Sequence, residues 1–122
     1  MIIKRDSNLN EIAKNFLKEV GDPVFIFLNG NMGAGKTTFV RHCMDIIGTT
    51  DNVSSPTFAI IHEYTTNTKP VFHLDLHRLE KIDHFILNEI EEISEKHLLT
   101  FIEWPNVIKK SFNYPFKEIY FN

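Results

Sequence analysis

The chain has 122 residues, 43% of them apolar, and a formal net charge of −3, so it can form one domain with a packed core but is too short for two. Its 13 basic residues are scattered among 16 acidic ones, which argues against nucleic-acid binding by the protein alone, because such proteins concentrate basic residues on one surface. Only one cysteine is present, Cys43, which excludes an internal disulfide and is typical of a reducing compartment. The start "MIIKRDSN" lacks the apolar core of a secretory signal, and no apolar run approaches the ~18 residues that span a bilayer. We therefore expect one cytoplasmic domain, residues 1–122, without membrane attachment.

The first half of the chain has the pattern of a helix, a buried strand and a second helix. "SNLNEIAKNFLKEVG" spaces its apolar residues at helical intervals, with Ser7 or Asn8 able to cap the start and Gly21 the end. "PVFIFLNG" is a continuous apolar run, as is typical of a fully buried strand. "KTTFVRHCMDIIG" then predicts a helix that begins near Lys36 and stops at Gly48.

The second half alternates strands with one further helix. "TFAIIHEYT" and "PVFHLDL" flank the turn-prone "TNTK" and predict an antiparallel hairpin. "ILNEIEEISEKHL" predicts a helix with one strongly charged face, "LLTFIEW" a buried strand, and "FKEIYF" a final strand. This alternation favours an α/β fold in which helices cover a sheet that is partly parallel and partly antiparallel.

The segment between the buried strand and the second helix matches a phosphate-binding loop. Gly30 to Thr37, "GNMGAGKT", satisfies G-x-x-x-x-G-K-[ST]. Glycines allow the backbone N–H groups to turn inward around an anion, and the positive end of the following helix dipole points to the same place. Lys36 would reach the β- and γ-phosphates, and the Thr37 hydroxyl would bind Mg²⁺. The fold prediction therefore becomes a P-loop NTPase-like three-layer sandwich with a mixed sheet.

A glycine-rich turn with an incidental lysine is the alternative, and the strand before and helix after the loop argue against it. Within the helix, Thr38 fits a first-turn position and Cys43 a packed, unreactive one. No N-K-x-D element of guanine-binding proteins occurs, so ATP is the expected nucleotide.

Two acidic residues end apolar strands, Asp75 in "VFHLD" and Glu103 in "LLTFIE". Packing does not explain a charge at such a position, although a solvated strand-end acid remains the alternative. Either carboxylate could hold Mg²⁺, directly or through water, or orient the attacking water. His73, Asp75 and His77 would face one side of a strand, so a zinc site is a second alternative, less favoured because the loop already accounts for Asp75.

Four strings in this order, "GNMGAGKTTFVR", "VSSPTF", "HLDLHR" and "IEWP", resemble the TsaE family, formerly YjeE. These are small bacterial P-loop ATPases of tRNA threonylcarbamoyladenosine biosynthesis. The resemblance extends from about Ser7 to Pro105, and the last three strings are more specific than the loop motif, which many families share.

The resemblance implies a role for each matching residue. Lys36 and Asp75 would be catalytic, with Asp75 positioning water, and Thr37 and Glu103 would bind Mg²⁺. The ATP-binding positions would be Ser7, Asn31, Met32, Gly33, Ala34, Gly35, Lys36, Thr37, Thr38, Thr57 and Trp104, where Thr57 belongs to a switch-like segment, residues 54–57. The expected partners are TsaB and TsaD, with tRNA contacted only indirectly and ATP hydrolysis resetting the complex between turnovers.

Three features depart from the family pattern. Asn31 stands where the family usually has aspartate, and His77 where it has tyrosine. The chain also ends soon after "EW", which predicts a shortened C-terminal edge of the sheet. These departures keep open a catalytically impaired member that acts as a binding module.

Arginine content bears on both rate and function. P-loop enzymes without a transition-state arginine are slow, by roughly 10³–10⁵-fold, and the chain has only Arg5, Arg41 and Arg78. Arg41 is expected to face solvent, and Arg78 to reach phosphate or form a structural ion pair. We therefore expect weak hydrolysis by the isolated protein. A small-molecule kinase is the remaining alternative, although three arginines are few for the lid that such enzymes close over the acceptor.

Overall fold

The structure is a computed structural model that describes residues 1–4, 7–21, 25–51, 53 and 60–122. Within these residues the chain forms six strands and four helices, named here in chain order. They are β1 (Ile2–Ile3), α1 (Leu9–Glu19), β2 (Phe25–Asn29), α2 (Lys36–Ile47), β3 (Ile61–Tyr64), β4 (Val71–Asp75), α3 (His84–Lys96), β5 (Thr100–Glu103), α4 (Asn106–Lys109) and β6 (Phe116–Phe121).

Two of the helices, α1 and α3, begin at side chains that accept a hydrogen bond from a free backbone N–H of the first turn. Asn8, one of the two predicted caps of α1, accepts a hydrogen bond from the backbone N–H of Glu11 at 3.2 Å. Asp83 caps α3 in the same way through the N–H of Ile86 at 2.9 Å. Helix α2 begins at Lys36 and is followed by Gly48, as predicted.

The six strands form one sheet in the order β1-β6-β2-β5-β4-β3. All neighbouring pairs are parallel except β3 and β4, which form the predicted antiparallel hairpin; residues 57–59 of its predicted first strand lie outside the described residues. Leu28 and Asp75 are both in register with Glu103, so the carboxyl ends of β2, β4 and β5 meet at one edge of the sheet. In open α/β sheets this edge is where ligands bind.

The C-terminal strand is not at an edge of the sheet. Strand β6 pairs with β2 on one side and with β1 on the other. The expectation that the C-terminal strands are shortened relative to the family stays a prediction. The parallel pairing with β2 requires a crossover between β5 and β6, which places β6 inside the sheet.

Helices cover both faces of the sheet and confirm the predicted three-layer sandwich. On one face α1 and α2 pack apolar side chains against the sheet, and on the other face α3 and α4 do so. The first core includes Phe16, Phe39, Cys43, Phe101 and Phe121; the second includes Phe27, Leu74, Ile90, Ile102 and Ile108. In the described part of the chain, no helix is long and apolar enough to cross a membrane.

Candidate nucleotide site

The loop from Gly30 to Gly35 joins β2 to α2 at the carboxyl edge of the sheet. Gly35 has φ +103° immediately before the helix, a conformation that L side chains rarely adopt. A Cβ on Gly30 would lie 3.0 Å from both Cβ and the carbonyl oxygen of Phe121, so only glycine lets β6 pack this closely against the start of the loop. Asn31 accepts a hydrogen bond from the Ala34 N–H through its backbone oxygen at 3.0 Å, and this loop contact does not depend on its side chain.

Lys36 is a buried cation held by neutral groups. Its Nζ donates a hydrogen bond to the Gly30 carbonyl at 2.6 Å and lies 3.5 Å from the centroid of the Trp104 ring. The residue is 5% exposed, and no carboxylate of the described residues forms an ion pair with it within 4.0 Å. Burial lowers the pKa of Lys36, and the more distant charges of Glu103 and Asp75 oppose that shift. A cation desolvated in this way favours the arrival of an anion.

Trp104 reaches this position through an unusual backbone conformation. It follows β5 with φ +57°, in the left-handed region that is costly for a non-glycine residue. The indole then covers the ammonium group of Lys36, as expected for a cation–π contact. The ring of Trp104 therefore lies beside the loop, and its contact with nucleotide stays a prediction.

Glu103 lies at the centre of a chain of hydrogen bonds. Its Oε2 accepts a hydrogen bond from the Thr37 hydroxyl at 3.0 Å and is 2.6 Å from Nε2 of His73. The other ring nitrogen of His73, Nδ1, is 2.9 Å from the Tyr64 hydroxyl. Sequence analysis did not identify this chain, which joins three strands to the first turn of α2. The one sequence signal for it is His73 in the strand "VFHLD", two residues before the acid that ends the strand, Asp75.

Asp75 has a different set of neighbours. Its Oδ1 accepts hydrogen bonds from the backbone N–H of His77 at 3.1 Å and from the ring Nδ1 of His77 at 2.8 Å. Asp75 is 6% exposed, whereas His77 and Arg78 are exposed. His77, which replaces the usual family tyrosine, therefore contacts the predicted catalytic carboxylate directly.

One pocket of about 440 Å³ brings most of the predicted site together. Its lining residues are Met32, Gly33, Gly35, Lys36, Thr37, Thr38, Asp75, His77, Arg78, Glu103 and Trp104. Ser7, Asn31 and Ala34 are not among them, and their contact with nucleotide stays a prediction. Residues 54–57, including Thr57, lie outside the described residues.

Ser7 and Arg41 lie outside the residues that line the pocket. Ser7 precedes α1, whose first residue, Leu9, has its Cδ1 3.8 Å from the position of a Cβ on Gly35. Arg41 is exposed and donates to the Val53 carbonyl at 3.3–3.4 Å, in agreement with its predicted solvent position.

The oxygen donors of this pocket suit magnesium better than zinc. Thr37 and Glu103 supply a hydroxyl and a carboxylate side by side, and Mg²⁺ binds through one or two such groups together with substrate phosphates. The alternative zinc site receives no support, because His73 bonds to Tyr64 and Glu103. Among the described residues, no group of three metal-ligating side chains occurs.

Cys43 lies on the buried face of α2 and is fully buried in the core, as predicted. Burial raises the pKa of its thiol to about 12, so the thiol is protonated and unreactive at neutral pH.

Comparison with known proteins gives a consistent result. The sequence model of the family "Threonylcarbamoyl adenosine biosynthesis protein TsaE" matches residues 3–122. The chain is 30% identical over 120 residues to the tRNA threonylcarbamoyladenosine biosynthesis protein TsaE of Rickettsia felis, covering 98% of this chain and 70% of that protein. It is 35% identical over 83 residues to the protein of the same name from Bacillus subtilis, covering 68% of this chain and 51% of the relative.

A solved structure extends the likeness to the fold. The crystal structure of YdiB from Bacillus subtilis superposes with a TM-score of 0.66 at 27% identity, over 86% of this chain and 63% of YdiB. The chain thus spans about half of the Bacillus subtilis TsaE sequence and less than two thirds of YdiB. With the family match over nearly its whole length, the chain belongs to the TsaE family.

Proposed function

We propose that this protein is a magnesium-dependent ATPase of tRNA threonylcarbamoyladenosine biosynthesis that hydrolyses ATP slowly on its own. One observation carries the proposal: the buried Lys36 ammonium lies in the same pocket as the Thr37–Glu103 hydrogen bond. An anion site and a pair of oxygen ligands side by side are what a metal-bound triphosphate requires.

The loop and the start of α2 would bind the phosphates. Backbone N–H groups there are aligned with the positive end of the helix dipole, and Lys36 would exchange its bond to the Gly30 carbonyl for one to a phosphate oxygen. Thr37 and Glu103 would hold the metal ion. A bound Mg²⁺ would supply neutralisation of the charge on the β- and γ-phosphate oxygens.

Asp75 would position the water that attacks the γ-phosphate. It lines the same pocket as Lys36, and the backbone N–H and ring of His77 fix its Oδ1. Arg78 also lines the pocket and is exposed. Slow turnover by the isolated protein is expected because the chain has only three arginines from which a transition-state arginine could come.

The resemblance to the family supplies the expected context. TsaB and TsaD would be the partners that raise turnover, in the cytoplasm, and the net charge of −3 favours contact with tRNA through those partners rather than directly. The match covers only about half of some relatives, such as the Bacillus subtilis protein. Partner binding is therefore proposed and tested separately from nucleotide binding.

Reconstitution tests the proposal. ADP release is measured for the protein alone, with TsaB, with TsaD and with both, in each case beside the Glu103→Gln variant. We expect slow release alone and faster release with both partners. Transfer of phosphate to an added nucleoside or sugar would instead indicate a kinase. ATP binding with release no faster than in the Glu103→Gln variant, in every mixture, would indicate a binding module.

A further inference from the structure

We propose that His73 and Tyr64 act as positioning residues that fix the Glu103 carboxylate against Thr37. The inference rests on the proposed function, since it concerns the same carboxylate. It gives a role to His73 and Tyr64, which do not line the pocket. We call the hydrogen-bonded series Tyr64–His73–Glu103–Thr37 the relay. Its first three residues lie on the neighbouring strands β3, β4 and β5, and Thr37 lies in α2.

Hydrogen-bond chemistry sets the direction of the relay. An ionised carboxylate accepts only, so the Nε2 of His73, 2.6 Å from Oε2 of Glu103, must carry the proton. A neutral imidazole protonated at Nε2 leaves Nδ1 as an acceptor, and the Tyr64 hydroxyl, 2.9 Å away, is the donor to it. In this neutral tautomer Tyr64 donates to His73, and His73 donates to Glu103.

All three side chains of these hydrogen bonds are buried, so each bond is costly to lose. His73 is 0%, Tyr64 2% and Glu103 3% exposed, so water does not replace a lost partner for His73 or Oε2. The same oxygen, Oε2, accepts the Thr37 hydroxyl. A hydroxyl that donates its proton to a carboxylate keeps its oxygen lone pairs for another ligand. By holding Oε2, His73 thus also sets how the Thr37 oxygen is presented.

Glu103 Oε1 completes the arrangement. Among the described residues, no hydrogen-bond partner is found for this second carboxylate oxygen. Fixing one oxygen from inside the sheet leaves the other for a ligand in the pocket. Partners that orient a metal-binding group in this way commonly change metal affinity by about 10–100-fold when they are replaced.

The first test needs no ligand. In the metal-free protein, nitrogen-15 spectra of the His73 ring should show the tautomer protonated at Nε2, with the Nδ1 signal shifted in Tyr64→Phe. The opposite tautomer, or an Nδ1 signal unchanged by Tyr64→Phe, overturns the relay whether or not the protein binds ATP.

The second test measures magnesium dependence. Calorimetry gives the Kd for a non-hydrolysable ATP analogue with Mg²⁺ and with EDTA. For His73→Leu we expect the gain in affinity from Mg²⁺ to shrink by about 10–100-fold while the Kd in EDTA stays within twofold. Tyr64→Phe should shrink the gain less, and His73→Gln, whose amide can still donate toward Oε2, should restore part of it.

Tyr114→Phe is the matched control. It removes the same hydroxyl from a tyrosine packed on the opposite face of the sheet, and it should keep the wild-type gain. Equal losses with and without Mg²⁺, or an unchanged gain in His73→Leu, overturn the relay. If His73→Leu does not fold, a wild-type gain in both Tyr64→Phe and His73→Gln overturns it equally. A wild type that binds no nucleotide in either buffer overturns the proposed function itself.

Discussion

Replacing Lys36 by methionine should stabilise the nucleotide-free protein and abolish its binding of ATP. Methionine keeps most of the length and the apolar stem of lysine but removes the ammonium charge. That charge is buried, its hydrogen-bond acceptor is the neutral carbonyl of Gly30, and its other close contact is the face of Trp104. The wild-type site therefore keeps a buried charge at the expense of stability, as functional sites often do.

The sign of the effect follows from weighing three contributions. A hydrogen bond from a charged donor contributes about 1.5–3 kcal/mol, and a partly desolvated cation–π contact about 0.5–2 kcal/mol. Burying an ion costs several kcal/mol. Burial is also the largest influence on the lowered pKa of Lys36, ahead of the attraction of Glu103 and Asp75. We therefore expect the free energy of unfolding to rise by about 1–2 kcal/mol in Lys36→Met, which is a rise in Tm of about 3–8 °C for a chain of this length.

Urea unfolding without nucleotide measures the stability, and calorimetry with ATP and Mg²⁺ measures the binding. Lys14→Met is the control, because Lys14 is exposed on α1 and its charge stays in water. Its unfolding free energy should change by less than about 0.5 kcal/mol. A Lys36→Met protein that is less stable than the wild type by about 1 kcal/mol or more would show that the contacts to Gly30 and Trp104 outweigh burial. The reasoning would then be refuted.

Three further predictions concern the two acids and the core thiol. Glu103→Gln keeps the side-chain volume but removes the charge between Thr37 and His73. The rate of ADP release should therefore fall by about 10²-fold or more. A rate within tenfold of the wild type would contradict metal binding by Glu103. Asp75→Asn should lower the single-turnover rate by a similar factor with the Kd for magnesium ATP within about threefold; equal losses in both would make Asp75 a binding residue. Burial raises the pKa of Cys43 from 9.0 to about 12, so the unfolded thiol ionises where the folded one stays protonated. The free energy of unfolding should therefore fall between pH 9 and 12, by at most about 1.4 kcal/mol per pH unit, and denaturant titrations of Cys43→Ala should lack this fall; the same pH dependence in both proteins would contradict it.

The nucleotide loop and the sheet around it are predictable from sequence because their signals are local. Gly30 to Thr37 are consecutive residues whose backbone conformation depends on glycines, and the flanking strand and helix have clear periodicity. Strand β1 and helix α4 give no such signal. Ile2–Ile3 and Asn106–Lys109 are too short for a period to show, and both elements exist only because β6 and the second core lie beside them.

The position of β6 is not predictable for a related reason. "FKEIYF" indicates a strand but not its neighbours. Parallel pairing of β6 with β2 places it where its side chains can pack on both faces, Ile119 and Phe121 against the core under α1 and α2 and Phe116 stacked on Phe27. Pairing between strands distant in sequence is decided by such packing.

The two strand-end acids are equivalent in sequence and unequal in the structure. His73, Asp75 and His77 alternate along one strand, which suggests that the histidines share a role with Asp75. The structure shows otherwise. His73 lies opposite Phe101, two residues before Asp75, which is the residue that faces Glu103. His73 bonds diagonally across to Glu103 rather than along its own strand to Asp75. Glu103 is consequently held from inside the sheet, whereas Asp75 is held by exposed His77 from the other direction. A carboxylate fixed by buried donors suits a metal, and one with a neighbour in solvent suits the positioning of water. This difference in surroundings, which no spacing in the sequence encodes, supports the proposal that Glu103 would bind the metal and Asp75 would position the water.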